Sequence, residues 1–154
     1  VIYFNPPAKN RIGAGEDKTL IDLVKARPEA SDENWEGYEG DDLKVVLDLG
    51  EKRDVYELEL SCFENNSAGI FLPAAIKIEL SLDGKKFETI VDQKLPASEA
   101  GKAREPAARN LGFSLKGRQA RFIRLTASNI GTVPEGFRGA GRPAWLLIDE
   151  IYVR

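Results

Sequence analysis

The sequence predicts an all-β protein, an antiparallel jelly-roll sandwich of about eight strands in one domain over residues 1–154. Three observations carry that expectation. Several segments alternate apolar and polar residues with period two, the pattern of strands that bury one face. Clusters of Gly, Pro, Asn and Asp separate those segments. No segment carries a convincing apolar stripe at helical spacing, and 154 residues are enough for one core.

The chain is organised around residues 35–50, WEGYEGDDLKVVLDLG. Residues 35–42 read as a turn-rich loop. Residues 43–49 read as a strand, with Leu43, Val45, Leu47 and Leu49 on one face and Lys44, Val46 and Asp48 on the other. Gly50 ends it, where a left-handed turn is cheap. Before this unit, residues 1–4 have the character of an edge strand, broken by Asn5-Pro6-Pro7 because proline cannot donate to a ladder. Residues 9–18 read as loop, and residues 19–23 are a short apolar piece around Asp22.

After a polar turn at 51–54, residues 55–63 form the next expected strand, with Tyr56, Leu58, Leu60 and Cys62 sharing a face. Residues 64–67 are a polar tip and residues 69–73 return the chain to the body. Residues 75–81 alternate with Ile76, Ile78 and Leu80 inward; Asp83-Gly84 is the strongest hairpin signal, with 87–91 as the partner strand. Residues 94–109 have no clear period and read as a short helix or a long connection, with a further strand at 107–115. Strands follow at 121–127 and 145–153, the last with a bulge near Asp149-Glu150; a Gly/Pro loop at 128–144 joins them. The expected core includes Leu47, Leu49, Leu58, Leu60, Ile76, Ile78, Phe122, Leu125 and Ile148.

Composition narrows the function. The chain has no His, the commonest general base and a common metal ligand, so an ordinary Ser-His triad cannot form. Its single Cys62 reads as a buried structural thiol. The acid pairs Asp41-Asp42 and Asp149-Glu150 are sequence neighbours, which on a strand face opposite ways and rarely share a substrate. An enzyme is therefore not expected. Nor is a nucleic-acid partner, since the net charge is −3 and the arginines are scattered. There is no transmembrane segment. The absence of Met, even at position 1, points to an excised domain or a processed product.

Charge is uneven. Residues 1–77 hold 9 basic and 16 acidic side chains, and residues 78–154 hold 13 and 9. Glu29, Asp32, Glu33, Glu36, Glu39, Asp41 and Asp42 occur in one stretch without a Lys or Arg. That stretch reads either as a solvated loop or as one that partly wraps a hard cation, which prefers oxygen ligands.

The order WxGxxGxDLxxxLDLG, FLP, SLDGKKF, ARFIRLTASN and IDEIYV resembles a discoidin domain, the coagulation factor V/VIII type C fold. It is most similar to the family-32 carbohydrate-binding modules of bacteria, as appended to hexosaminidase- or chitobiase-type glycoside hydrolases. The resemblance implies an eight-stranded jelly roll and a chain that is secreted, periplasmic or on the cell surface. It also implies a glycan partner and an attached catalytic domain. Calcium is implied too, with ligands at Asp22 and Glu150 and carbonyls near Leu20 and Asn34. In the family a glycine follows that Asp; here it is Leu23. The alternative is that Asp22 caps a turn and Glu150 pairs with an arginine such as Arg124.

The family's sugar site lies on loops at one end of the sandwich. Sugar rings stack on aromatics, and their hydroxyls take planar polar partners. The candidates are therefore Tyr38, Asn65, Asn66, Asn129, Phe137, Arg138 and Arg142. Phe137, flanked by Glu135-Gly136 and Arg138-Gly139, is the best exposed stacking platform; Trp35 and Trp145 are expected in the core. The expected ligand is a terminal galactose- or hexosamine-type sugar. The rival reading is a protein-interaction sandwich that braces a neighbouring catalytic domain without binding sugar.

Overall fold

Period-two alternation becomes seven antiparallel strands in the computed structural model, which describes residues 2–4 and 19–154. These are β1 (Ile2–Tyr3), β2 (Glu36–Glu39), β3 (Leu43–Glu64), β4 (Ala75–Ser81), β5 (Glu88–Lys94), β6 (Ala107–Ser128) and β7 (Trp145–Val153). They run in the order β2-β7-β3-β6-β4-β5, with β1 added to β3. The proline break at Asn5-Pro6-Pro7 and the loop expected at 9–18 lie outside the described residues. No helix among the described residues is long and apolar enough to cross a membrane.

The two expected strands at 43–49 and 55–63 are one bent strand, and so are those at 107–115 and 121–127. The bend in β3 lies where its register with β6 shifts, between Asp48 and Arg53. There Gly50 takes φ +83° and donates its N–H to Asp48 Oδ1 at 2.9 Å. Further along the pair, opposite residues 55–57, Lys116 and Gly117 also have positive φ. The chain bends there instead of reversing. Each long strand therefore takes the place of two expected ones, and seven strands are present among the described residues.

A second shift, between Val55 and Glu57, places two extra residues on β6, since Arg118 to Ser114 spans four positions against two on β3. There the Tyr56 and Glu57 N–H groups both donate to the Arg154 carbonyl and the alternation of β3 changes phase, so Val55 is buried and Tyr56 is 62% exposed, not on the Cys62 face as expected. Cys62 itself is fully buried, and burial pushes its thiol pKa up. One core cluster draws Leu47, Ile76, Ile78 and Leu125 together with Leu58, Leu60 and Ile148. Leu49 only packs against its margin. Phe122 is half-buried at the sheet end, its ring against Gly84 and under the Arg121 guanidinium. Ile78→Val, which removes one methylene from this core, should cost about 0.5–1.5 kcal/mol in urea unfolding. A loss within error would mean that Ile78 is not packed.

The hairpin forms as expected. Gly84 takes φ +72°, and Asp83 Oδ1 accepts from the N–H groups of Lys85 and Lys86. Residues 95–106 contain no strand or helix, and β6 starts at Ala107. Residues 36–39, read as loop, are strand β2, paired with β7 from Glu36↔Ile148 to Glu39↔Trp145. Pairing to a buried strand overrides the local glycine and acid content.

Candidate functional site

The loop at 128–144 is closed by its own hydrogen bonds. Val133 N–H donates to the Arg142 carbonyl at 2.8 Å, Gly141 N–H to Val133, and Ala144 N–H to Gly131. Asn129 acts as the strut. Its Nδ2 donates to the carbonyls of Tyr38 and Ala144, both at 3.0 Å, and its Oδ1 accepts from Gly131 N–H. Those bonds occupy the side chain, so Asn129 does not offer its amide to a ligand as expected.

Phe137 is likewise not an exposed platform. A turn closed by its N–H on the Pro134 carbonyl points the ring inward. There it is 7% exposed, 5.3 Å from Phe71 in an edge-to-face pair, with Val133 and Ala144 around it. Gly136, at φ +88°, permits this close approach, since a Cβ there would stand 3.0 Å from the Gly101 nitrogen. Two further expectations fail for the same reason, burial. Tyr38 is 1% exposed and donates its hydroxyl to Glu36. Asn66 is fully buried, its amide oxygen accepting from Arg104 N–H. Asn65 is half-buried at the start of a 3-10 turn, Asn66–Ala68, outside the cleft described next.

Two of the seven expected residues do meet. Arg138 and Arg142 are exposed and line a cleft of about 680 Å³. Glu39 at the end of β2, the 67–69 turn and Trp145 at the start of β7 also line it. Trp145 is half-buried, packing partly on the Trp35, Phe63, Ile70 and Leu147 cluster. Trp35 is the core plug expected of it, 1% exposed. Sequence reasoning missed Glu39 and placed Trp145 wholly in the core. The available signal for Trp145 was its place directly after the Gly/Pro loop. The arrangement supplies an aromatic surface, two guanidinium forks and one carboxylate acceptor in a concave loop end.

A second group of expected residues lies beside β7. The bulge expected near Asp149-Glu150 is present: Ser61 faces Glu150 and Cys62 faces Ile148, leaving Asp149 as the extra residue. Both acids are buried, contrary to the simple alternation argument. Asp149 Oδ2 accepts from Ala26 N–H at 2.8 Å, but its Oδ1 and both Glu150 oxygens have no hydrogen-bond partner among the described residues. Burial, with the nearby Asp22 carboxylate adding to it, pushes the Glu150 pKa up to about 7.

Glu150 does not pair with Arg124, which instead grips Glu79 through two bonds of 2.6 and 2.8 Å. Asp22 does cap a turn, accepting from Val24 N–H, and Leu23 takes the left-handed φ of +66° where the family has glycine. Leu20 is buried in the 3-10 turn Thr19–Ile21, which packs on β7. Asn34 is half-buried, and its amide groups donate to Asp32. No group of three or more His, Cys, Asp or Glu gathers among the described residues. A cation here would therefore rely on Asp22, Glu150 and backbone carbonyls. All are oxygen donors, and the donor set fits a hard ion.

Among solved structures, the chain is similar to the C-terminal domain of a chitobiase from Bacteroides fragilis. Identity is 21% and the TM-score 0.57, over 100% of this chain and 90% of that one. It is also similar to CpGH89CBM32-5 from Clostridium perfringens, in complex with GalNAc-β-1,3-galactose, at 14% identity and TM-score 0.58, over 97% and 90%. A fucolectin from striped bass (Morone saxatilis) serum aligns at 15% identity and TM-score 0.52, over 88% of this chain and 39% of that one. These likenesses show the fold. No curated protein matches the sequence. The sequence matches the F5/8 type C domain family over residues 8–151, and the chain belongs to that family.

Proposed function

We propose that this chain is a non-catalytic carbohydrate-binding module and that its site is the loop-end cleft of Glu39, Arg138, Arg142 and Trp145. One observation carries the reading: a single concave surface joins an aromatic side chain to three charged groups of fixed backbone. Protein sites for sugars need this pairing of an apolar ring face with planar hydrogen-bonding groups. The expected ligand is a terminal galactose- or hexosamine-type sugar. The module would bring an attached glycoside hydrolase to such glycans, as suggested by relatives whose names refer to a chitobiase and a GH89 chain. A secreted, periplasmic or cell-surface location goes with that role.

A structural calcium belongs to the same proposal, held by Asp22 and Glu150 with carbonyls near Leu20 and Asn34. Its support is the pair of fully buried Glu150 oxygens, without a hydrogen-bond partner among the described residues, beside a second carboxylate. The ion would neutralise both acids and tie the segment around Leu20 to β7.

The test is a glycan-array screen of the domain with and without chelator. Terminal galactose- or hexosamine-type glycans should be retained. Arg142→Ala should weaken retention about tenfold, while an exposed substitution leaves stability within about 0.5 kcal/mol. A wild-type domain that retains no glycan would end the sugar reading and favour the bracing role.

A further inference from the structure

The cleft has a charge pattern unlike the rest of the surface. Seven of the ten described arginines are paired with a carboxylate. The other three are Arg53, Arg138 and Arg142, and two of those line this one cleft. Glu39 shares the cleft, yet no ion pair joins it to either arginine. In a chain of net charge −3, two arginines outside any ion pair thus line one cleft together with Trp145.

Their backbone is held in place. The Arg142 carbonyl accepts from Val133 N–H, its N–H donates to Gly139, and Arg138 directly follows the buried Phe137. A fixed base lowers the ordering that binding must impose. Guanidinium forks match the spacing of carboxylate and sulfate oxygens and bind them more strongly than neutral hydroxyls.

We infer that the cleft selects an acidic sugar: a galactose- or hexosamine-type ring bearing a carboxylate or a sulfate ester. The anionic group sits between Arg138 and Arg142, the apolar ring face lies on Trp145, and Glu39 accepts from a hydroxyl. This inference rests on the carbohydrate-binding reading and narrows its ligand class.

The experiment compares matched probes on one support: galactose and N-acetylgalactosamine as neutral probes, galacturonate and galactose 6-sulfate as anionic ones. At least one anionic probe should be held about tenfold more tightly than galactose, and raising salt should erode the difference. Which of the two is preferred separates carboxylate from sulfate recognition. Arg138→Gln and Arg142→Gln should each reduce the preference without moving the melting temperature. Arg142→Lys should restore part of it, since it keeps charge but loses the fork. Arg53→Gln should leave the preference intact.

Equal retention of neutral and anionic probes overturns the inference while leaving the sugar reading in place. Equal retention of a polyphosphate resin also overturns it, because charge alone would then suffice. If no sugar probe is retained, both the inference and the sugar reading fail.

Discussion

Replacing Phe137 by Ala is expected to lower the melting temperature by about 6–12 °C, the shift that roughly 3 kcal/mol gives in a domain of this size. The ring is 7% exposed and meets Phe71 edge-to-face, so its removal leaves a cavity between the loop and the sheet. Phe71 lies in a segment separate from the loop that holds Val133 and Ala144, so closing that space requires the loop to move. Phe137→Leu should recover most of the loss. The same cavity frees the loop that carries Arg138 and Arg142, so Phe137→Ala should weaken sugar retention as a consequence of lost order. Arg142→Ala should weaken retention alone. Thermal melting of both variants separates a plug from a platform: an unchanged melting curve for Phe137→Ala would put the ring back on the surface.

Phe137 also shows where sequence reading stops. Glycines on both sides gave it little local packing, and that made it look exposed. Its actual partner, Phe71, lies far upstream, and no pattern within the loop encodes that contact. The same holds for β2. Glu36 and Gly37 argue against a strand locally, and only the ladder to Leu147 and Ile148 makes them one. Tyr38 and Asn66 carry the right chemical groups for sugar binding and stand beside loops in the sequence. Each instead satisfies a buried neighbour, a contact that depends on the fold as a whole.

What could be read was local and periodic. The alternation of Leu43, Val45 and Leu47 and of Ile76, Ile78 and Leu80 gave the core faces directly, since one side of each strand must be buried. The Asp83-Gly84 turn was legible because only a left-handed residue completes it. The bulge in β7 was legible because two acids interrupt an apolar run. The continuity of β3 through Gly50 was not, because a polar turn inside a bent strand has the same sequence signature as a hairpin.

Calcium is expected to stabilise the protein by about 2.7 kcal/mol at 100 times its dissociation constant, and by about 4.1 kcal/mol at 1,000 times. The first value corresponds to a rise of roughly 5–11 °C in melting temperature, which chelator should reverse. The argument starts from Glu150. A carboxylate with no exposed surface is unfavourable while charged, and the neighbouring Asp22 makes it more so. A divalent cation between the two acids turns that repulsion into attraction. Glu150→Gln keeps the shape and removes the charge, so its effect should change sign with the metal. In chelator the variant should be at least as stable as the wild type, because an amide is easier to bury than a carboxylate. In calcium it should be clearly less stable, because the wild type gains from the ion and the variant does not. Asp22→Asn should lose the calcium response in the same way. A purely structural role for Glu150 predicts the same ranking in both conditions. Melting curves of the three proteins with calcium and with chelator decide the matter: if the wild-type curve does not move, or if both variants still respond to the ion, these two acids do not hold a stabilising calcium.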